Sequence, residues 1–420
     1  MRGLITRGLI TGAALFAVVV SQRSVADDAA PNRGAAPPAQ KAKETKSPAT
    51  NLNERDQVRA LAQAHRVGSQ WVTEEASGRR IEFSIAPALQ ERALRLFSEY
   101  QLPHAAVVAI EPATGRVLAY ASHAAEGPHG PDLAQDVTSP AASVFKLITS
   151  SALVDAGVGA DTRVCYGGGS SRLDLVHLED NPRREGVCTT LDEALGKSTN
   201  AVFAKLADRH LKPATLLRYA RSFGFGHDLP FDFAPPASPI DVPSARLEFA
   251  RTAAGFWHSY MSPLHGALIA ATFANDGAMP EPWLVQRVTL PDGSARELSQ
   301  KGSVRRVIDP ATARSVSHMM LRTVRDGTSR HAFLDGRGRA QLPGISVAGK
   351  TGSLSTADPY RAYSWWVGFA PADHPRIALA ALIINTPKWR IKSSFLAREL
   401  LREYLLPHPN TAPELAQSKP

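Results

Sequence analysis

Hydrophobic and polar positions divide the chain into five stretches. Residues 1–26 open on Arg2 and Arg7, run apolar from Leu9 to Val20, and reach Ser24-Val25-Ala26 just before Asp27. A basic start, an apolar core and a small-residue exit form the pattern of an export signal. The apolar run is shorter than the ~20 residues a membrane-spanning helix needs. Removal after Ala26 is therefore the expectation, with retention as an uncleaved anchor the alternative. Residues 27–55 are rich in Ala, Pro, Lys and Glu without apolar periodicity, which predicts a disordered linker. An N-terminal extension at 56–79 leads into a folded region at 80–406, and the polar tail at 407–420 is again expected to be disordered. The body of such a chain is exported, to the periplasm or the outer face of the plasma membrane.

Within 80–406 the periodicity alternates between that of helices and that of strands. Residues 86–101 place Leu89, Ala93, Leu96 and Phe97 on one helical face. Two apolar runs, 105–110 and 116–121, flank a Pro- and Gly-bearing turn and predict a β-hairpin. Three more strand-like runs follow late, at 345–353, 363–369 and 377–384. A closing helix at 394–406 carries Leu396, Leu400 and Tyr404 on one face with Ser394 as its expected cap. The middle, from about 140 to 275, is mostly helical in pattern, and Thr190 with Glu193 reads as a capping box. Strands at both ends around a helical middle predict an α+β fold. One antiparallel sheet would be closed by distant segments, with the helical part inserted between its strands.

Composition changes this picture little. The chain is 44% hydrophobic and 21% charged, as globular proteins are. Its net charge of +9 is inflated by Arg2, Arg7 and Arg23, which face no acid within residues 1–26. No Lys/Arg run with interleaved aromatics occurs, so no nucleic-acid partner is expected. The only cysteines, Cys165 and Cys188, are too few for a Cys-ligated zinc site. Outside the cytoplasm this pair is expected to form a disulfide, and closing a loop of this length stabilises by roughly 3 kcal/mol.

Candidate chemistry lies in three short motifs. In Ser143-Val144-Phe145-Lys146, one helical turn puts the serine hydroxyl and the lysine amine on the same face. A lysine can take a serine's proton only when burial or a neighbouring cation lowers its pKa. Ser198-Thr199-Asn200 pairs a hydroxyl able to shuttle a proton with an amide able to hold a substrate. Lys350-Thr351-Gly352-Ser353 lies on a strand-like run; its lysine suits a carboxylate, and its glycine lets substrate backbone approach closely. An S-x-x-K is expected about once by chance in such a chain, so the first motif alone carries little.

Together, each occurring once and in this order, the three motifs resemble those of the penicillin-binding proteins and serine β-lactamases. Segments 86–122, 191–207, 262–277, 326–333 and 364–371 are similar to successive parts of a penicillin-binding transpeptidase domain, and the resemblance covers about residues 80–406. It implies a five-stranded antiparallel sheet flanked by helices, with an all-helical lobe. It also implies Ser143 as the acylated nucleophile, Lys146 as its base, Ser198 as proton relay and Asn200 as a positioning group. Lys350 and Thr351 would bind the D-Ala carboxylate, and the backbone N–H groups of Ser143 and Ser353 would form the oxyanion hole. No metal or organic cofactor is implied. The implied function is a penicillin-sensitive D,D-transpeptidase acting on the D-Ala-D-Ala ends of peptidoglycan stem peptides. β-Lactams would be inhibitors, and cell-wall synthesis proteins candidate partners.

Some features depart from the family or leave alternatives open. No room is seen for a glycosyltransferase domain or a sizeable pedestal before residue 80, so a minimal unit is expected. Gly255-Phe256-Trp257 stands where the family has Gly-x-Gly, and Trp257 is expected to pack in the core. The stretch after Asn200 lacks the E-x-x-L-N of class A β-lactamases, so slow deacylation is expected. A D,D-carboxypeptidase or endopeptidase, a β-lactamase, and a non-catalytic sensor or scaffold are the alternatives. No G-x-S-x-G elbow is present, and His177, His258, His265 and His331 are expected to be structural or exposed.

Overall fold

The computed structural model describes residues 60–125, 131–170, 172–232, 235–298 and 304–407. The expected export signal at 1–26, the linker at 27–55 and all but the first residue of the tail at 407–420 lie outside the described residues. In chain order, strands β1 (His65–Val67), β2 (Gln70–Glu74) and β3 (Arg80–Phe83) precede helix α1 (Pro87–Glu99). The hairpin β4 (His104–Ile110) and β5 (Val117–Ala124) follows, and a turn at Ala142–Phe145 then runs into α2 (Lys146–Asp155). A second hairpin, β6 (Arg163–Tyr166) and β7 (Val187–Thr190), introduces α3 (Leu191–Lys197), α4 (Asn200–His210) and α5 (Pro213–Ser222). Helices α6 (Arg246–Ala253) and α7 (Pro263–Ala274) complete the helical stretch. Four short strands come next: β8 (Ala278–Pro280), β9 (Val285–Thr289), β10 (Ala295–Glu297) and β11 (Val304–Arg306). After α8 (Pro310–Arg325) and α9 (Arg330–Phe333) the chain returns through β12 (Ala348–Ala357), β13 (Tyr360–Ala370) and β14 (Ile377–Asn385) to α10 (Ser393–Leu405).

The central sheet has the order β12-β13-β14-β4-β5, with every neighbouring pair antiparallel. This is the α+β architecture expected from the sequence. Its strands read as unbroken apolar runs because both faces are covered. Along β4, Ala105, Val107 and Ala109 face the cluster formed with Leu89, Leu96, Leu396 and Leu400 of α1 and α10. Ala106, Val108 and Ile110 face the other way, onto Leu147, Ile148 and Leu268 of the helical lobe. Alanine is a poor strand former, yet β4 and β14 are rich in it. Burying each of their Val, Leu and Ile side chains is worth ~1.5–3 kcal/mol, and that outweighs the propensity. Helix α7 lies against this sheet and is buried from Pro263 to Phe273, which explains its nearly all-apolar sequence.

Four local expectations need correction. The first concerns residues 56–79, expected only as an extension. Strands β1, β2 and β3 form a second five-stranded sheet with β9 and β10, in the order β1-β2-β3-β9-β10. The folded body thus continues before residue 80. These strands are short and buried in the middle: Trp71, Val72, Thr73, Ile81, Phe83 and Val288 are buried, while Arg80 pairs with Glu74 at 2.7 Å at the strand ends. Second, the strand expected at 345–353 runs instead from Ala348 to Ala357, prolonged through polar residues by pairing with β13. Third, Ser394 is no cap: α10 begins at Ser393, whose hydroxyl donates to Ser364 O of β13 and stitches the helix to the sheet. Fourth, the capping box at α3 is half formed. Glu193 accepts from the Thr190 backbone N–H, but the Thr190 hydroxyl donates to Asp192 rather than accepting from the helix.

Candidate active site

The three motifs converge on one cleft. Ser143 sits in the tight turn Ala142–Phe145, where Val144 and Phe145 are buried and anchor it to the core. Ala142 adopts φ 51°, a left-handed conformation that turns the chain into α2. Gly255 supports this turn from the helical lobe. A Cβ there would lie 2.4 Å from Ala142 O and 3.0 Å from Ser143 Cα, so no other residue fits without displacing the turn.

Lys146 is fully buried, as the first residue of α2. Its Nζ lies 2.8 Å from Ser143 Oγ, 2.7 Å from Asn200 Oδ1 and 2.6 Å from Ala254 O. The last two partners are carbonyl oxygens, which can only accept. A neutral amine therefore spends two N–H groups on them and turns toward Ser143 the lone pair that a proton acceptor needs. Burial, and secondarily the nearby Lys350, hold the Lys146 pKa well below its ordinary value.

Ser198 ends α3 in a left-handed conformation, φ 58°, and Asn200 opens α4 two residues later. The Ser198 hydroxyl accepts from Lys350 Nζ at 2.8 Å. Lys350 is also fully buried, donates to Thr351 O at 2.8 Å, and has its pKa lowered by burial to about 7. Thr351 Oγ1 shares a hydrogen bond with Thr328 Oγ1 at 2.5 Å, and Thr328 N donates to Gly196 O at 3.0 Å. Thr328 was not singled out as a site residue in the sequence. The only signal was its place in the segment 326–333.

Gly352 also has a packing task. A Cβ at this position would meet Ala141 O and Val144 Cγ2 at 3.2 Å each, so its small size lets β12 lie over the serine turn. Ser353 then faces the cleft, a cavity of about 410 Å³ that it lines together with Ser143, Asn200, Trp257, Tyr360 and Trp389. The expectation that Trp257 packs in the core fails: it is 38% exposed, at φ 35°, on the cleft wall.

The remaining sequence candidates lie apart. Cys165 and Cys188 are directly opposite each other on β6 and β7 and form a disulfide. His265 is buried between Ser238 Oγ, at 2.7 Å, and Phe223 O, at 2.8 Å, and burial lowers its pKa to about 4. It is a neutral structural bridge. His258 lies beside Glu248 and Asp241, and among the described residues no histidine is hydrogen-bonded to Ser143. Among the described residues no cluster of His, Cys, Asp and Glu could hold a metal ion.

A serine turn under a buried lysine, faced by a second buried lysine across the S-x-N corner and the sheet edge, is the arrangement that the resemblance to the penicillin-binding class implies. The family model for the penicillin binding protein transpeptidase domain matches residues 105–405, and the chain belongs to that family. It is 28% identical over 315 residues to the peptidoglycan D,D-transpeptidase PbpA of Mycolicibacterium smegmatis, covering 66% of this chain and 61% of that one. The chain thus spans less than two thirds of that relative's length. The crystal structure of PBPA from Mycobacterium tuberculosis superposes with a TM-score of 0.65 at 24% identity, over 78% of this chain and 81% of that one, so the fold is shared. The imipenem acyl-enzyme complex of the M. tuberculosis penicillin-binding protein A superposes with a TM-score of 0.61 at 25% identity, over 78% and 80% of the two chains.

Proposed function

We propose that the protein is a peptidoglycan D,D-transpeptidase that forms an acyl-enzyme on Ser143. One observation carries the reading: a fully buried Lys146, with no acid offsetting its burial, sits 2.8 Å from Ser143 Oγ with its lone pair steered toward it. Membership of the family and the D,D-transpeptidase relatives support the same assignment.

In this mechanism Lys146 takes the hydroxyl proton as Ser143 Oγ attacks the carbonyl carbon of the penultimate D-Ala. The backbone N–H groups of Ser143 and Ser353 hold the oxyanion that forms. The tetrahedral intermediate collapses, and the departing D-Ala amine receives a proton passed from Lys146 by way of Ser198. Lys350, flanked by Thr351 and Thr328, binds the terminal carboxylate. Its pKa of about 7 rises when that anion arrives, so substrate binding makes its own counter-ion. A second stem peptide's amine then attacks the ester, and Lys146 accepts the amine's proton. Asn200 holds Lys146 and the substrate amide in register. No carboxylate is hydrogen-bonded to Ser143, Lys146, Ser198 or Asn200 among the described residues. This favours transfer to an amine over the fast hydrolysis of a β-lactamase. The site of action is peptidoglycan outside the cytoplasm, in keeping with the export pattern of residues 1–26.

The test is fluorescent penicillin labelling of the purified chain beside Ser143→Ala. Stable label on the first and none on the second is the expected outcome. Label lost within minutes assigns a β-lactamase, and no label on either removes the acyltransferase reading.

A further inference from the structure

The disulfide hairpin touches the catalytic machinery through its backbone. From β6 the chain enters the run 167–169 of three glycines and reaches Ser170, which lines the same cleft as Ser143. A Cβ on Gly167 would lie 1.9 Å from Arg184 O, inside the hairpin loop. Gly169, at φ 72°, would press a Cβ to 3.0 Å from Ala201 Cβ, on the first turn of α4. The glycines thus let this loop lie directly on the helix that begins with Asn200. There the Ser170 carbonyl accepts the Asn200 Nδ2–H at 2.5 Å, while Asn200 Oδ1 accepts from Lys146.

An amide clamped in this way has one orientation. A carbonyl only accepts, so it selects the NH₂ end and leaves the oxygen for Lys146. Released from Ser170, the amide is free to turn over and offer Lys146 an N–H, removing one of the two acceptors that direct the lysine lone pair. The base of the hairpin is tied to the same helix. Buried Lys205 of α4 donates to Cys165 O at 3.0 Å and pairs with Glu185 and with Asp180, the latter at 3.1 Å. Cys188 is exposed and Cys165 half-buried, so the disulfide is open to a reductant.

We propose that Ser170 is a positioning residue for acylation, and that the Cys165–Cys188 disulfide holds its carbonyl on Asn200. The inference rests on the proposed function, since it concerns how fast Ser143 is acylated. The acylation rate is therefore redox-sensitive although neither sulfur touches the substrate.

The experiment compares second-order acylation by fluorescent penicillin in the oxidised chain and after a water-soluble phosphine. The phosphine converts the disulfide to two thiols and becomes a phosphine oxide, with water supplying the oxygen and both protons. Reduction is expected to slow acylation about tenfold, the upper end of what one neutral hydrogen bond contributes. In Asn200→Ala, already slow, reduction is expected to change the rate less than about twofold, since the clamped group is gone. Gly169→Ala, with the disulfide intact, is expected to slow acylation as reduction does; it decides the matter if the reduced protein melts below the assay temperature. Equal rates before and after reduction, or the same fold-loss in the Asn200→Ala background, overturns the proposal. An oxidised wild-type chain that takes no label overturns the function, and the proposal with it.

Discussion

Gly255 offers a direct test of how tightly the serine turn is held. In Gly255→Ala the new Cβ would stand 2.4 Å from Ala142 O, so the carbonyl must retreat by about 0.6 Å to reach the 3.0 Å that real contacts respect. Because Ala142 immediately precedes Ser143, that shift is carried to the nucleophile, whose Cα is itself 3.0 Å from the added atom. Displacements approaching 1 Å at reacting atoms cost up to ~10²-fold in rate. A loss of about ten- to one-hundredfold in acylation is therefore expected. Gly255 also has φ 80°, which charges any side chain ~1–2 kcal/mol of stability. The control is Gly157→Ala, after α2, with φ 87° and nothing within 4 Å of its Cβ. In a thermal melt Gly157→Ala should lose only the conformational cost, Gly255→Ala should lose that and the cost of the clash as well, and only Gly255→Ala should lose acylation. Equal acylation rates in the two would refute the account of the turn as sterically fixed from Gly255.

The pH profile follows from the two lysines. Acylation needs Lys146 neutral, so the rate should fall on the acid side as that amine protonates, and on the alkaline side as Lys350, brought to about 7 by burial, loses the charge that binds the carboxylate. Lys350→Arg should move the alkaline limb upward; an unmoved limb would reassign it. The same shift has a sign for stability. The unfolded Lys350 binds a proton that the folded one gives up between about 7 and its ordinary 10.5, so folding stability from this group rises with pH across that window. Calorimetry of Lys350→Met, which removes the term, should show a weaker rise. Trp257→Gly should widen the cleft and raise the acylation rate for penicillins with bulky side chains relative to small ones; an unchanged ratio would mean that the ring stands clear of the bound acyl chain.

Much of this was legible because the central sheet is covered on both faces. Segments 105–110 and 377–384 had to be apolar at every position, and a continuous apolar run survives reading without a partner. The motif lysines were legible as types, since only burial makes a lysine a base, and their neighbours Val144, Phe145 and Leu147 announced burial. The second sheet was not. Its strands run three to five residues, and β3 finds β9 some two hundred positions later, so Ile81 and Phe83 gave no local sign of a partner. Gly352 was read as room for a substrate because it neighbours Lys350. Which side of a strand a glycine leaves empty is decided by what packs there, in this case the turn at Ala141 and Val144. Trp257 was misread for the converse reason. Size favours the interior, but Trp257 lies on the open wall of the cleft.

The pairing of β4 with β14 joins residues near 107 to residues near 381. A ribosome delivers Ser143 and Lys146 more than two hundred residues before it delivers Lys350. Until then β4 has no β14 to pair with, the serine turn has no β12 lying over it, and Lys146 lacks the second cation that helps lower its pKa. The nascent chain therefore carries a complete nucleophile motif that is chemically idle. The last strands to be made are the ones that arm it, so on the proposed function a chain cut short anywhere before β12 loses acylation altogether.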